Sequence, residues 1–285
     1  MKDKVATVVI TYNRIEFLKD LIVALRSQTR RPDKIIVVNN SSSDGTGEWL
    51  AGQSDLDVIT QPNVGSSGGQ YTGFKAALAT GYDWIWAMDD DVLPAGNCLE
   101  KMLEKAETGS IYAPLRIAHE GNVYMNDTIG LNLSEPFKSI WTEILSEKHL
   151  DRELIRAEGI TFEGPMMPRE VVEKLGLPEK KFFIYADDTE YFARAKGAGI
   201  DCWLVRDAHL QRRLPGYFDP ADFGWKHYYM IRNIIAVDVL HGGPAVRWLR
   251  PFGYLISWLK RCRRPDDIKT TLRAFFDGYF YKSES

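Results

Sequence analysis

The chain has 285 residues, 45% of them hydrophobic and 26% charged, enough to bury a sizeable core in one large domain or two tightly joined ones. A formal net charge of −3 gives no footing for nucleic acid, and the lone cysteines Cys98, Cys202 and Cys262 form neither a disulfide framework nor a zinc spacing, so a reducing compartment is expected. The opening MKDKVATVVITYNR has no secretory leader pattern and no run reaches membrane-spanning length, which predicts a cytoplasmic protein unless something carries it to a surface.

The first hundred residues alternate between two patterns. VATVVITY (Val5–Tyr12) is a β-branched run of the kind buried on both faces of a sheet. Ile15, Leu18, Leu21, Ile22 and Leu25 then recur at helical spacing. KIIVVNN predicts a second buried strand, SSSDGT a turn leading into a short helix near Glu48–Ala51, and DVIT a third strand. QPNVGSSGGQ reads as a glycine-rich loop before a helix over roughly Tyr71–Thr80, and DWIWAM as the fourth strand. Strands alternating with helices predict an α/β fold with a Rossmann-like, mostly parallel central sheet. Ligands of such sheets gather beyond the carboxyl ends of the strands.

Asp89, Asp90 and Asp91 stand at the carboxyl end of that fourth strand, on the same expected edge as TYNR and NNSSSDG. A solvated turn capping a helix explains one acid well and three poorly. A hard divalent cation, Mn²⁺ or Mg²⁺, held by carboxylate oxygens beside a phosphate-bearing substrate would relieve the repulsion within the triplet. Residues 109–162 carry short strand candidates and no clear period. FEGPMMPREVVEKLG reads as a shaped loop before a short helix, and FFIYADDTEYFARAKGAG places a second acid pair, Asp187–Asp188, at the start of a helix. Acids at a helix N-terminus suit the macrodipole, but capping needs only one, and the apolar FFIY before them would partly bury both.

Taken in order, VVITYNR, IIVVNNSSSDGT, NVGSSGGQYTGF, MDDDV and FFIYADDTEYFARAKGAG make a set that resembles the family-2 glycosyltransferases of GT-A fold over roughly Val5 to Leu210. The resemblance implies a single displacement with inversion at the anomeric carbon of a nucleotide-sugar. It places Thr11, Tyr12, Asn13 and Arg14 around the nucleotide, and sets Asn39 and Asn40 against the base where many relatives have Val-Asp-Asn. It brings the Asn63–Gly69 backbone close to the donor, and Asp89 and Asp90 beside the nucleotide. Asp89 and Asp91 match the two acids of the DxD element and would hold the metal, with His209 of DCWLVRDAHLQ as third ligand. Asp188 aligns with the family's general base, and Asp187 is the fallback. The full DDD together with NVGSSGGQ is similar to bacterial galactofuranosyltransferases, so UDP-galactofuranose is the favoured donor and dTDP-rhamnose the alternative.

The expected organisation is a catalytic domain over 1–212, split into a nucleotide-sugar half (1–108) and an acceptor half (109–212), followed by a helical region at 213–285. There Tyr228, Tyr229, Arg232 and Asn233 match a Tyr-Tyr-x-x-Arg-Asn helix of the surface-polysaccharide enzymes, whose acceptors are glycans or lipid-linked glycans. VRWLRPFGYLISWLKRCRRP interleaves aromatics with Arg and Lys, a pattern suited to a helix on an anionic membrane surface or against a second subunit, and DDIKTTLRAFFDGYFYKSES reads as one more helix with a frayed end. Peripheral contact with the inner face of the membrane is the expectation. Two other classes fit part of the pattern. A Mg²⁺-dependent phosphohydrolase of the haloacid-dehalogenase type would carry its DxD after the first strand, where TYNR stands. A non-catalytic nucleotide-sugar binder would not need Asp187–Asp188.

Overall fold

Residues 5–11 are buried without exception, as a strand covered on both faces must be. The computed structural model of the chain describes residues 3–215 and 223–283, so residues 216–222 of the expected C-terminal region lie outside the described residues. In chain order the first part contains β1 (Val5–Thr11), α1 (Ile15–Arg26), β2 (Lys34–Asn39), α2 (Thr46–Ala51), β3 (Leu56–Thr60), α3 (Gly65–Ala79) and β4 (Trp84–Asp89). β1 pairs in parallel with β2 and with β4, and β2 with β3. The two-residue period of β1 divides its side chains between two cores. Val5 and Val9 meet the fully buried Leu18, Leu21, Ile22 and Leu25 of α1, each contributing roughly 2 kcal/mol by leaving water. Ala6, Val8 and Ile10 meet Phe74 and Ala77 of α3 on the other face.

The glycine-rich stretch is helix, not loop. α3 begins at Gly65, six residues before the expected Tyr71, because its glycines let it lie against β1. A Cβ on Gly69 would come within 2.5 Å of Ile10 Cγ2. Gly65 has φ +78°, and a Cβ there would meet the Phe183 carbonyl oxygen at 1.9 Å.

The middle of the chain continues the same sheet. β5 (Val92–Pro94), α4 (Cys98–Leu103), β6 (Ile111–Ile117), β7 (Thr128–Leu131), β8 (Trp141–Ile144), β9 (Leu154–Arg156), β10 (Met166–Pro168), α5 (Arg169–Leu175), α6 (Asp187–Gly197) and β11 (Cys202–Arg212) follow. The nine-stranded sheet runs β3-β2-β1-β4-β10-β6-β11-β5, with β9 beside β11, while β7 and β8 form a separate hairpin. The stretch expected to be a shaped loop therefore contains a sheet-central strand. β10 lies antiparallel to β4, and the Trp86 indole N–H donates to the Gly164 carbonyl at 2.9 Å just ahead of it.

Three helices close the fold: α7 (Lys226–His241), α8 (Pro244–Leu259) and α9 (Pro265–Tyr279). Ile231, Ile235 and Val237 of α7 share a core with Phe182, Ala193 and Phe275. α8 is tied to α7 by the buried Arg250–Asp238 pair at 2.8 Å. Burial pushes the Asp238 carboxyl up to about 7 against the pull of Arg250. Among the described residues no helix is long and apolar enough to cross a membrane.

Candidate active site

The register of the parallel strands assembles the site. Ile10 lies level with Val38 on one side and Asp89 on the other, so the residues that follow β1, β2 and β4 emerge together at one edge. They open onto a cavity of about 550 Å³. Thr11, Tyr12, Arg14, Asn40, Asn63 and the three acids Asp89–Asp91 line it, with Phe183, Ile184, Trp225 and Lys226 completing the wall.

The acids are knitted to β1 and its following turn. The Thr11 hydroxyl donates to Asp90 at 2.7 Å, and the Arg14 guanidinium donates to Asp90 at 3.1 Å and to Asp91 at 2.7 Å. Burial raises the Asp90 carboxyl to about 6, with Arg14 and Thr11 working against it. Asp89 is driven well above the usual carboxylate range, first by burial and then by the charges of Asp91 and Asp90. Gln70 donates to it at 3.3 Å.

A second cavity of about 280 Å³ is lined by Asp188 and Thr189 together with Arg116, Tyr124, Trp141, Glu163 and Arg212. The Asp188 carboxylate accepts from the Thr189 N–H at 2.6 Å and from its hydroxyl at 3.2 Å, yet burial leaves its affinity for a proton above normal. Asp187 is buried deeper. Burial and then repulsion from Asp188 bring it to about 7. The charge of Glu163, which lines this second cavity, and that of Asp187 also help to raise Asp89.

Glu163 was not among the residues singled out in the sequence. It accepts from Arg116 at 2.7 Å and from Arg212 at 2.9 Å, and although burial opposes its charge, the two arginines hold it below the ordinary value. Arg116 also donates to the buried Asp127 at 2.6 Å, and the Arg116 and Arg212 guanidiniums lie over the Tyr124 ring at 4.7 and 4.4 Å. The available signal was Arg116 itself, a charge within an otherwise apolar strand that requires buried partners.

The backbone that presents Asp187 and Asp188 is strained. Phe183, Tyr185 and Ala186 have φ of 66°, 67° and 59°, in the left-handed region that non-glycine residues avoid. The buried Asn233 side chain of α7 donates to the carbonyls of Phe182, Ile184 and Tyr185 at 3.0, 2.8 and 2.7 Å. Arg232 adds bonds to the carbonyls of Lys181 and Phe182 at 2.7 and 3.0 Å, and its guanidinium lies over the Tyr228 and Tyr229 rings. The Tyr-Tyr-x-x-Arg-Asn element is thus a clamp on the segment before the acid pair.

Five of the expected residues line neither cavity, the buried Asp187 among them. The Asn13 side-chain oxygen accepts from the Ser43 N–H at 2.7 Å and that of Asn39 accepts from the Ser42 N–H at 2.9 Å, so both brace the turn after β2. Gly69 is buried beneath Ile10, where its missing side chain serves helix packing. His209 is exposed beside Asp207, and its carbonyl accepts from the Ala95 N–H at 2.9 Å. The Asp91 carbonyl instead meets the N–H of Arg213, just past the end of β11 and four residues beyond His209, a separation of roughly 13 Å at strand rise. The pairing of β11 with β6 shifts register between Val205 and His209.

Among the described residues no three His, Cys, Asp or Glu side chains converge so as to hold a metal ion by themselves. The donor set at Asp89–Asp91 is hard oxygen under mutual repulsion, which fits an Mn²⁺ or Mg²⁺ ion that takes one or two carboxylates and completes its shell from substrate phosphate and water.

Comparison with known proteins gives the same picture. The family model of glycosyl transferase family 2 matches residues 7–176. Galactofuranosyltransferase GlfT1 of Mycobacterium tuberculosis is 30% identical over 287 residues, covering 92% of this chain and 91% of that protein. Galactofuranosyltransferase GlfT1 of Mycolicibacterium smegmatis is 30% identical over 206 residues, 69% of this chain and 66% of that protein. Among solved structures, GalNAc-T7 with UDP, GalNAc and Mn²⁺ is similar with a TM-score of 0.68 at 12% identity, over 95% of this chain and 54% of that one. The fold is the GT-A fold of nucleotide-sugar-dependent transferases. The chain belongs to glycosyltransferase family 2 and is a glycosyltransferase.

Proposed function

We propose that this enzyme moves galactofuranose from its UDP-sugar to a hydroxyl of a glycan or lipid-linked glycan acceptor in cell-surface polysaccharide synthesis, at the cytoplasmic face of the membrane. The observation that carries the reading is the pair of cavities themselves, a larger one at the strand ends lined by Asp89–Asp91 and a smaller one lined by Asp188. The likeness to the two mycobacterial galactofuranosyltransferases supports the sugar.

In this reading the nucleotide lies in the larger cavity, its base against the exposed Tyr12 ring and near Asn40, with Arg14 directed to the diphosphate. Asp89 and Asp91 would hold a divalent cation, which would supply charge to offset that of the leaving group. Arg14 now bridges Asp90 and Asp91, so it yields Asp91 as the donor arrives. The acceptor sugar occupies the smaller cavity, where Trp141 offers an apolar face and Glu163 and Arg212 offer polar partners. Its hydroxyl oxygen bonds to the anomeric carbon, the carbon–oxygen bond to the diphosphate breaks with its electron pair leaving on UDP, and the hydroxyl proton passes to Asp188. Inversion follows from the single displacement.

Calorimetric titration with UDP, dTDP and GDP, with and without Mn²⁺, followed by product analysis with UDP-galactofuranose, tests the proposal. Metal-dependent binding of UDP above the others and transfer of the furanose support it. Preference for dTDP turns the reading to rhamnosyl transfer, and binding of none of the three removes it.

A further inference from the structure

α8 and α9 leave one side apolar. Among the described residues sixteen large hydrophobic side chains are exposed, and eight of them stand on these two helices and the residue after them. On α8 they are Trp248, Leu249, Phe252 and Ile256, with Trp248 65% and Ile256 55% exposed. On α9 and just past it, Ile268, Leu272, Phe276 and Phe280 recur every fourth residue, Phe276 54% and Phe280 69% exposed. The two stripes are joined edge to edge. The Trp248 ring lies 6.3 Å from that of Tyr279, and the Phe252 ring 5.3 Å from Phe275 and 5.6 Å from Tyr279, while Phe276 and Phe280 flank those same rings at 5.4 Å. A patch of this kind on a soluble fold marks a contact surface.

The charge of the same segment indicates what it contacts. Residues 244–285 contain nine Lys and Arg against four Asp and Glu, a net +5, so the preceding 243 residues carry −8. Lys260, Arg261, Arg263 and Lys269 are exposed on the same segment as the aromatic stripes. A second copy paired about a two-fold axis would set one +5 segment against another, which disfavours self-association through this face. No described helix is long and apolar enough to cross a bilayer, so the helices would lie on it.

We propose that α8 and α9 together form a two-helix platform that seats the enzyme on a bilayer rich in anionic lipid, with Trp248, Phe252, Phe276 and Phe280 entering the acyl boundary and the surrounding Lys and Arg on the headgroups. The clamp residues Arg232 and Asn233 belong to α7, which packs against both platform helices and so ties the platform to the segment before the acid pair. In giving a lipid-linked acceptor its route to the cleft, the platform rests on the functional reading above.

The test is co-sedimentation of the full chain with phosphatidylcholine vesicles, with and without phosphatidylglycerol, at low and raised salt. Binding should require phosphatidylglycerol and weaken with salt. The pair Phe276→Ser and Phe280→Ser should lower the partition at least about tenfold, and Arg263→Gln with Lys269→Gln about fivefold per charge removed. UDP binding and melting temperature establish that the variants are folded, and transfer to a short water-soluble acceptor without vesicles should be unchanged in them. A wild-type chain that stays in the supernatant with phosphatidylglycerol overturns the platform. So does a wild-type dimer, seen by light scattering, that the Phe pair converts to monomer with no vesicle binding. Loss of soluble transfer in the wild type strikes the functional reading and leaves the vesicle result standing.

Discussion

The two acid clusters of the cleft are stabilised by different means. At the end of β4, Asp90 and Asp91 share the guanidinium of Arg14, whose side chain is 40% exposed. At the start of α6, Asp187 and Asp188 are raised by burial, and the segment before them is fixed in left-handed backbone by three bonds from Asn233. A counter-charge on a long exposed side chain can be exchanged for a cation that arrives with substrate. A carboxylate mounted on strained, clamped backbone keeps its place, which is what a proton-accepting group needs.

The largest effect expected from this contrast is at the fixed cluster. Asp188→Asn should lower transfer by about a thousandfold while calorimetry finds UDP affinity unchanged. Retention of a tenth or more of the wild-type rate would move the base to Asp187. Next comes the clamp. Asn233→Ala leaves three carbonyl bonds unmade in a buried position, so the melting free energy should fall by about 2–4 kcal/mol and the turnover number about ten- to hundredfold, with KM for the donor little changed. A variant that loses stability and keeps full turnover would show that the clamp serves folding alone.

The Arg14-bridged cluster should respond in the opposite way to loss of its partner. Arg14→Met leaves Asp90 and Asp91 without their shared cation, so Mn²⁺ alone, in the absence of nucleotide, should bind the variant severalfold more tightly than the wild type. UDP with Mn²⁺ should bind it about tenfold more weakly, because a charged donor to the diphosphate is gone. If both affinities fall together, Arg14 supports the metal site instead of competing for it.

What could be read from the sequence followed burial. The strand ends at Thr11, Asn40 and Asp89 were legible because each follows an unbroken apolar run, and parallel pairing then forces them to one edge. The start of α3 was hidden because glycines that read as loop residues are required there by close packing on Ile10. β10 is three residues long and contains Pro168, too short to show a period although it sits mid-sheet. Glu163 acquires its place from Arg116 and Arg212, 47 and 49 residues away in sequence, and no local pattern encodes that. His209 illustrates the converse, since its residue type and context suit a ligand while its side chain is exposed and absent from the cavity wall.

The smallest effect separates site chemistry from fold stability within the acid pair. Asp187 has its folded pKa raised from the ordinary 3.8 to about 7, so between those values the folded chain holds a proton that the unfolded chain has released. Folding is therefore opposed increasingly as pH climbs through that window, with no cost below it and a constant cost above. Asp187→Asn removes the cost. The variant should match the wild type in stability near pH 4 and exceed it by about 1–2 kcal/mol at pH 8, measured by urea unfolding at each pH. A gain that is the same at both pH values would mean the amide packs better for reasons unrelated to charge. A loss at pH 8 would mean that the ionised Asp187 is stabilised by its surroundings, and the contrast with the Arg14-bridged triplet would then have to be drawn on backbone geometry alone.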